Sequence, residues 1–314
     1  MQTDKNNSVY FVVQEKREFQ PPNWDGLAVL VLASIIEEAS VSREKRFVQT
    51  AGASMIYTIF PVDWDTKFFG FPVGRVNLTL DFSREKLAKT FEQGKNDYRL
   101  IYVFLKDKGP DELDGFESPC VCYDRKLVYE KNIASPAPEL DPRLRLYTDT
   151  ACTKRIETLA VISGQQSRFR RDPKILPFYE QLFLTWINNA ILGGTADAIW
   201  IWQGDDGKAS GLATARVVKQ SDDGQTVKEG RIGMLAVEEK YRDRGVGSSL
   251  LQACEYWGIS AGLDKTSLVV PADSEEYVQL CDQSGYTPGS EVSVYHYWSP
   301  SWAYHPRQGW KFDP

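Results

Sequence analysis

Between residues 144 and 298 the spacing of apolar positions switches between the two-residue period of a strand and the three-to-four-residue period of a helix. A strand at 144–147 precedes a helix at 153–164 capped by Thr153, and a second helix inside 167–194 stops at Gly193 and Gly194. Three strands at 198–202, 209–219 and 228–237 are joined by the turns GDDG and SDDG, which predicts an antiparallel meander. Val246, Leu250, Leu251, Cys254 and Trp257 then fall on one face of a helix that Gly262 ends. A strand at 267–270, a short helix at 274–283 and a strand at 292–298 complete the series. The order β-α-α-β-β-β-α-β-α-β predicts an α/β chain of the α+β type. Its central sheet is mixed and mostly antiparallel, flanked by helices, with one crossover into a parallel pair.

The first half is less regular. From 54 to 80 the runs MIYTIFPVDW and FFGFPVGRVNLTL read as strands broken by Asp63, Gly70 and Gly74. A helix at 83–94 begins at Ser83, a buried strand lies at 100–105, and a strand pair falls near Val121 and at 127–129. The segment ASPAPELDPR, 134–143, holds three prolines and breaks the pattern. We expect a domain boundary there: a smaller α/β domain over 1–140, its first 50 residues an extension, and a second domain over 141–314.

Composition narrows the function. The length of 314 residues fits two domains, and 42% hydrophobic with 25% charged residues is an ordinary globular balance. A net charge of -6 argues against a polyanion or an anionic membrane surface, so neither nucleic acid nor membrane is an expected partner. Five cysteines with two histidines form neither a disulfide framework nor a metal set, so reduced thiols and no metal are expected. No leader pattern opens the chain, and the apolar stretch at 27–36 is too short to span a membrane, so a cytoplasmic location is expected.

The stretch YRDRGVGSSL, 241–250, carries the clearest chemistry. It follows a strand and opens a helix, where unpaired backbone N–H groups and a positive dipole favour an anion. Gly245 and Gly247 lack the Cβ atoms that would hold a diphosphate away, and Arg242 and Arg244 supply cations. A plain surface turn is the competing reading, but the position between strand and amphipathic helix favours phosphate.

The block IGMLAVEEKYRDRGVGSSLLQAC resembles the coenzyme-A-binding segment of the GNAT acyltransferase superfamily, whose signature is Q/R-x-x-G-x-G/A; Arg242, Gly245 and Gly247 match it. The resemblance covers about 145–298. It implies acyl-CoA as co-substrate, with backbone N–H groups from Arg244 through Val246 and Ser248 to Ser249 on the pyrophosphate. It also implies Leu235, Ala236 and Val237 pairing with the pantetheine arm, and it puts Ser274 where the family often has asparagine. Three further segments, WDTKFFGFPVGR, SRFRRDP and GYTPGSEVSVYHYW, resemble the TDP-fucosamine acetyltransferase group. That narrower resemblance implies a bacterial enzyme of lipopolysaccharide sugar biosynthesis. It would acylate the amine of a dTDP-linked amino-dideoxyhexose with acetyl or a longer group such as 3-hydroxybutanoyl.

The remaining candidates have two readings each. Arg168, Phe169 and Arg171 are acceptor contacts, or Arg168 is a solvated arginine; Asp172 is expected only to cap the next helix. Trp64, Phe68, Phe69 and Phe71 are expected mostly in the core. The family's acid is a tyrosine, yet Cys281 stands at that position, so Cys281 is either the acid or core packing, with Tyr277 one turn earlier as the other acid. No carboxylate lies within 232–237 to act as base, so water-mediated deprotonation or direct attack by the amine is expected. A GNAT enzyme of a protein N-terminus or another small amine, and a non-catalytic CoA-binding module, are the competing functions, with a homodimer left open.

Overall fold

The computed structural model describes residues 56–107, 112–116, 120–222, 225–305 and 309–312, so the extension expected over 1–50 lies outside the described residues. Ten strands form one sheet: β1 (Phe60–Pro61), β2 (Val73–Leu78), β3 (Leu100–Lys106), β4 (Cys120–Asn132), β5 (Leu144–Leu146), β6 (Ala198–Gln203), β7 (Ala209–Asp222), β8 (Gln225–Val237), β9 (Lys265–Pro271) and β10 (Thr287–Trp298). Their spatial order is β1-β2-β3-β10-β4-β9-β8-β7-β6-β5. Pairing is antiparallel except β2 with β3 and β8 with β9. The meander β6-β7-β8 and the parallel crossover are as the pattern predicts. Strands β11 (Trp302–His305) and β12 (Gly309–Phe312) make a separate hairpin.

Seven helices flank the sheet among the described residues. They are α1 (Asp63–Phe69), α2 (Arg84–Gly94), α3 (Lys154–Ser163), α4 (Arg168–Arg171), α5 (Tyr179–Ile191), α6 (Val246–Ser260) and α7 (Glu275–Gln283). The side chains of Thr153 and Ser83 accept from the N–H groups of Ile156 and Lys86, capping α3 and α2 as expected. One sheet face packs on α1, α3 and α5, burying Trp64, Phe69, Ile156, Leu182 and Ile187 against Leu212, Met234 and Val294. The opposite face packs on α6 and α7 through Leu250, Leu251, Cys254 and Cys281, and on α2 through Leu87 and Phe91.

Two expectations need correction. The run at 63–69 is helical, not extended: Trp64 and Phe68 stack one turn apart at 5.0 Å, Asp63 and Asp65 sit in the first turn, and Gly70 closes the helix at φ 74°. The strand pair expected near 121 and 127–129 is one continuous strand of 13 residues. The polar run Asp124, Arg125, Lys126 resembles a turn in sequence. In the fold it is a ladder segment held on both edges, by β10 and then by β9.

Strand β4 lies between β9 and β10, so the strands before residue 140 do not form a sheet of their own. This places side chains from the first half against the strands of the second.

Candidate functional site

The parallel pairing of β8 and β9 runs from Glu229 opposite Lys265 to Ile232 opposite Leu268 and stops. Beyond that point β8 continues against β7 as far as Val237, while β9 continues against β4 as far as Pro271. The two strands diverge, and a cavity opens on each side of the gap.

The first cavity, about 430 Å³, is bounded by Leu235, Val237, Arg242, Gly245, Ser248 and Tyr277. Its wall on β8 is backbone. Met234 N–H donates to Thr214 Oγ1 at 2.9 Å and Glu238 N–H to the Ser210 carbonyl at 2.8 Å, so the even residues here turn toward β7. The Leu235 carbonyl instead accepts from the Tyr277 hydroxyl at 3.0 Å, and the Val237 carbonyl from Arg242 Nε at 3.4 Å. A strand residue points its N–H and C=O to the same edge, so Leu235 and Val237 present N–H groups to the cavity. Ala236 alternates away: it pairs with Leu212 on β7 and its side chain is buried.

The other wall is the start of α6. Gly245 is its N-cap at φ 75°, without a side-chain cap, and a Cβ there would meet nothing within 4 Å. The first N–H groups of the helix therefore face the cavity without intrahelical partners. The glycines have separate roles. Gly245 makes the left-handed turn that points the helix end at the cavity. Gly247 instead allows close helix packing, since a Cβ there would lie 3.1 Å from Leu280 of α7.

Of the expected cofactor-binding residues, the structure brings Leu235, Ala236, Val237, Arg242, Gly245, Val246, Gly247 and Ser248 to this cavity. Arg244 is exposed, with its guanidinium 5.7 Å from the Tyr241 ring. Ser249 turns its hydroxyl back to the Gly245 carbonyl at 3.1 Å. Ser274, at the N-cap of α7, is buried with its Oγ unpartnered among the described residues. None of these three borders either cavity.

The second cavity, about 100 Å³, shares Ser163, Gln166, Leu235 and Tyr277 with the first. Its apolar wall is Phe169, Phe183, Trp186 and Met234. Its polar wall comes from α4, through Arg168, and from β4, through Asp124 and Lys126. Lys126 Nζ lies 3.3 Å from Asp124 Oδ2, and Arg168 N–H donates to the same oxygen at 3.4 Å. Burial pulls the Lys126 ammonium below its ordinary acid constant.

The two candidate acids separate. Tyr277 borders both cavities, and burial pushes its hydroxyl up to about 12, so it keeps its proton at working pH. Cys281 is fully buried on the core face of α7 and borders neither cavity. Burial lifts its thiol to about 12. One turn of helix turns Cys281 into the core and Tyr277 to the gap.

Arg168 is not solvated. It is 2% exposed, its guanidinium 4.2 Å from the Phe169 ring, 4.8 Å from Tyr102 and 5.9 Å from Phe104. Asp65 of α1 accepts from the Tyr102 hydroxyl at 2.8 Å, and burial raises its carboxyl to about 6 against the pull of Arg168. Asp172 does more than cap: Oδ1 accepts from Lys174 N–H at 2.9 Å, while Oδ2 accepts from Trp298 Nε1–H at 2.9 Å and meets His296 Nδ1 at 2.6 Å. Burial would raise this carboxyl, but its hydrogen bonds outweigh that and hold it ionised; burial keeps His296 neutral. The segments around Asp65, Arg168 and His296, far apart in sequence, thus meet beneath the second cavity. Arg171 stands outside, paired with Asp273 at 3.0 Å and about one third exposed. Trp64, Phe69 and Phe71 are core, as expected.

Asp124, Lys126, Asp65 and His296 escape the sequence reading. Asp124 and Lys126 do carry a signal, polar residues two apart on one face of a strand, but it has meaning only once their neighbours on β9 and β10 are known.

Among the described residues no three His, Cys, Asp or Glu are placed to hold a metal ion, and no helix is long and apolar enough to cross a membrane. The five cysteines are unpaired.

A mixed, mostly antiparallel sheet whose parallel pair splays beside a glycine-capped helix is the arrangement that the GNAT resemblance implies. Residues 161–286 match the model of the acetyltransferase (GNAT) family. No curated protein matches the chain. Among solved structures, a GCN5-related N-acetyltransferase from Sphaerobacter thermophilus is 16% identical, over 63% of this chain and 59% of its own, with a TM-score of 0.39. The chain thus spans less than two thirds of that protein. A tandem GNAT protein from the clavulanic acid biosynthesis pathway is 14% identical over 73% and 76%, with a TM-score of 0.44. A GCN5-related N-acetyltransferase from Kribbella flavida is 13% identical over 72% and 81%, with a TM-score of 0.43.

Proposed function

We propose that the protein is an acyl-CoA-dependent N-acyltransferase. Acyl-CoA lies in the larger cavity and the acceptor amine enters the smaller one. The observation that carries this reading is the junction of the two cavities at Leu235 and Tyr277. The open N-terminus of α6 offers N–H donors and a positive dipole to a diphosphate, and Arg242 adds a cation beside it. The outward N–H groups of Leu235 and Val237 suit a pantetheine arm lying as an added strand. They also suit the thioester oxygen as negative charge develops there.

The amine nitrogen attacks the thioester carbon from the smaller cavity, the C–S bond breaks, and the electron pair leaves with sulfur. Tyr277, still protonated, gives its hydroxyl proton to that sulfur and regains one from the nitrogen. Its bond to the Leu235 carbonyl holds the phenol at the gap until then.

For the acceptor we propose a dTDP-linked amino-dideoxyhexose. A cavity of about 100 Å³ takes the amine-bearing edge of a sugar, not a nucleotide. Phe169 and Trp186 offer it aromatic faces. Arg171, about one third exposed, could exchange its ion pair with Asp273 for the diphosphate, whereas Arg168 is enclosed by rings. The test is amide formation from acetyl-CoA with dTDP-linked 3-amino and 4-amino sugars, free aminohexoses and peptides, read by mass spectrometry. A nucleotide-linked sugar is expected to turn over at the lowest KM. Preference for peptides or free amines contradicts the acceptor assignment, and no amide from any of them contradicts the transferase reading.

A further inference from the structure

We infer that Asp124, supplied by β4 from outside the GNAT-matching segment, is the residue that receives the acceptor's ammonium and takes its proton. The inference rests on the acyl-transfer reading but not on the identity of the acceptor.

The stretch of β8 that borders the gap, residues 232–237, holds no carboxylate to act as base, since it is apolar or glycine. The fold answers this through its topology. Strand β4 pairs with β9 only as far as Lys126 opposite Pro271. It then runs on beside β10, where Asp124 is opposite Val294. Asp124 therefore sits just past the end of β9, at the floor of the gap, 2% exposed and bordering the second cavity.

Its two oxygens differ. Oδ2 is occupied by Lys126 Nζ and by Arg168 N–H. Oδ1 is buried and, among the described residues, has no hydrogen-bond partner. Leaving a carboxylate oxygen dry and unpaired is costly, and beside a cavity a donor on a bound ligand would relieve that cost. The surrounding groups select which donor. Lys126 on the same strand and Arg168 on α4 are cations, His296 on β10 is neutral, and Tyr277 on α7 keeps its proton. Among the described residues bordering this cavity, Asp124 is the single carboxylate. An ammonium is the ligand class that Oδ1 matches, and Lys126 and Arg168 hold the carboxylate by its other oxygen.

The protons balance. Oδ1 takes one proton from the ammonium, which frees the nitrogen lone pair for the thioester carbon. The nitrogen then loses a second proton, which replaces the one Tyr277 gives to sulfur. The proton on Asp124 leaves to solvent when the amide departs.

The probe is methylamine with acetyl-CoA, small enough for the cavity whatever the natural acceptor, with dTDP-4-amino-4,6-dideoxyhexose beside it. In Asp124→Asn, acetyl-CoA is expected to bind within twofold of wild type by calorimetry. The kcat/KM for the amine is expected to fall about a hundredfold at neutral pH. The loss should shrink as pH approaches the amine's own acid constant, because solution then supplies the free base. A loss that is the same at every pH, or no loss, overturns the assignment. Lys126→Met keeps the carboxylate and removes its cation, so the low-pH limb of wild-type kcat/KM should move upward; an unmoved limb overturns the assignment even if Asp124→Asn fails to fold. A wild type that releases no thiol with either amine overturns the acyl-transfer reading itself, which distinguishes that failure from this one.

Discussion

Tyr277→Phe removes one oxygen from the point where the two cavities meet. In the free protein that hydroxyl donates to the Leu235 carbonyl at 3.0 Å. Its loss should cost about 1 kcal/mol of stability, the ordinary worth of such a bond where the stranded carbonyl borders a cavity water can reach. The effect on turnover should be much larger. A positioned acid contributes roughly 10² to 10⁴ in rate, so kcat should fall at least about a hundredfold while both KM values stay near wild type. Thiol release at saturating acetyl-CoA and acceptor is the assay. Because burial holds the phenol near 12, wild-type activity should show no loss from Tyr277 ionisation below strongly alkaline pH. Cys281→Ala is the control. Its thiol is buried in the core and borders neither cavity, so the substitution should cost stability and leave kcat unchanged. A wild-type kcat in Tyr277→Phe, or a large loss in Cys281→Ala, refutes this assignment of the acid.

Gly245→Val forces a β-branched residue to φ 75° at the helix end; acetyl-CoA KM should rise at least about tenfold with a stability loss of about 1–2 kcal/mol, and an unchanged KM in the folded variant refutes the phosphate role. Asp172→Ala strands the donors of His296, Trp298 and Lys174; urea unfolding should show a loss of about 3–5 kcal/mol, and a loss under about 1 refutes its role as an anchor. Asp65 titrates near 6 in the fold against an ordinary 3.8, so the fold favours its protonated form. That stabilisation is complete below pH 3.8 and is lost as pH rises through 6, about 3 kcal/mol in all. Asp65→Asn should therefore flatten the stability curve between pH 4 and 8, and parallel curves for wild type and variant refute it.

The cleanly periodic elements were legible from sequence. The meander β6-β7-β8, the amphipathic α6 and the turn at Gly245 follow from spacing and turn chemistry that act within a few residues. The errors have physical causes. The aromatic run of α1 favours a strand by composition, and only its one-sided burial and the left-handed Gly70 make it a helix. Strand β4 was recognised in pieces, but its partners β9 and β10 lie well over a hundred residues away, and no local pattern encodes that choice. The two-residue spacing of Asp124 and Lys126 is visible in sequence, but it gains meaning only through those same distant partners. Tyr277 and Cys281 were both legible as candidates, and the direction each takes from α7 distinguishes them.

A crystal structure with bound coenzyme A tests the central claim most directly. The account predicts diphosphate oxygens within hydrogen-bond distance of backbone N–H groups in the first turn of α6. It predicts the pantetheine arm along Leu235 and Val237, and the sulfur beside the Tyr277 hydroxyl. Coenzyme A bound elsewhere, with the gap between β8 and β9 empty, would contradict it.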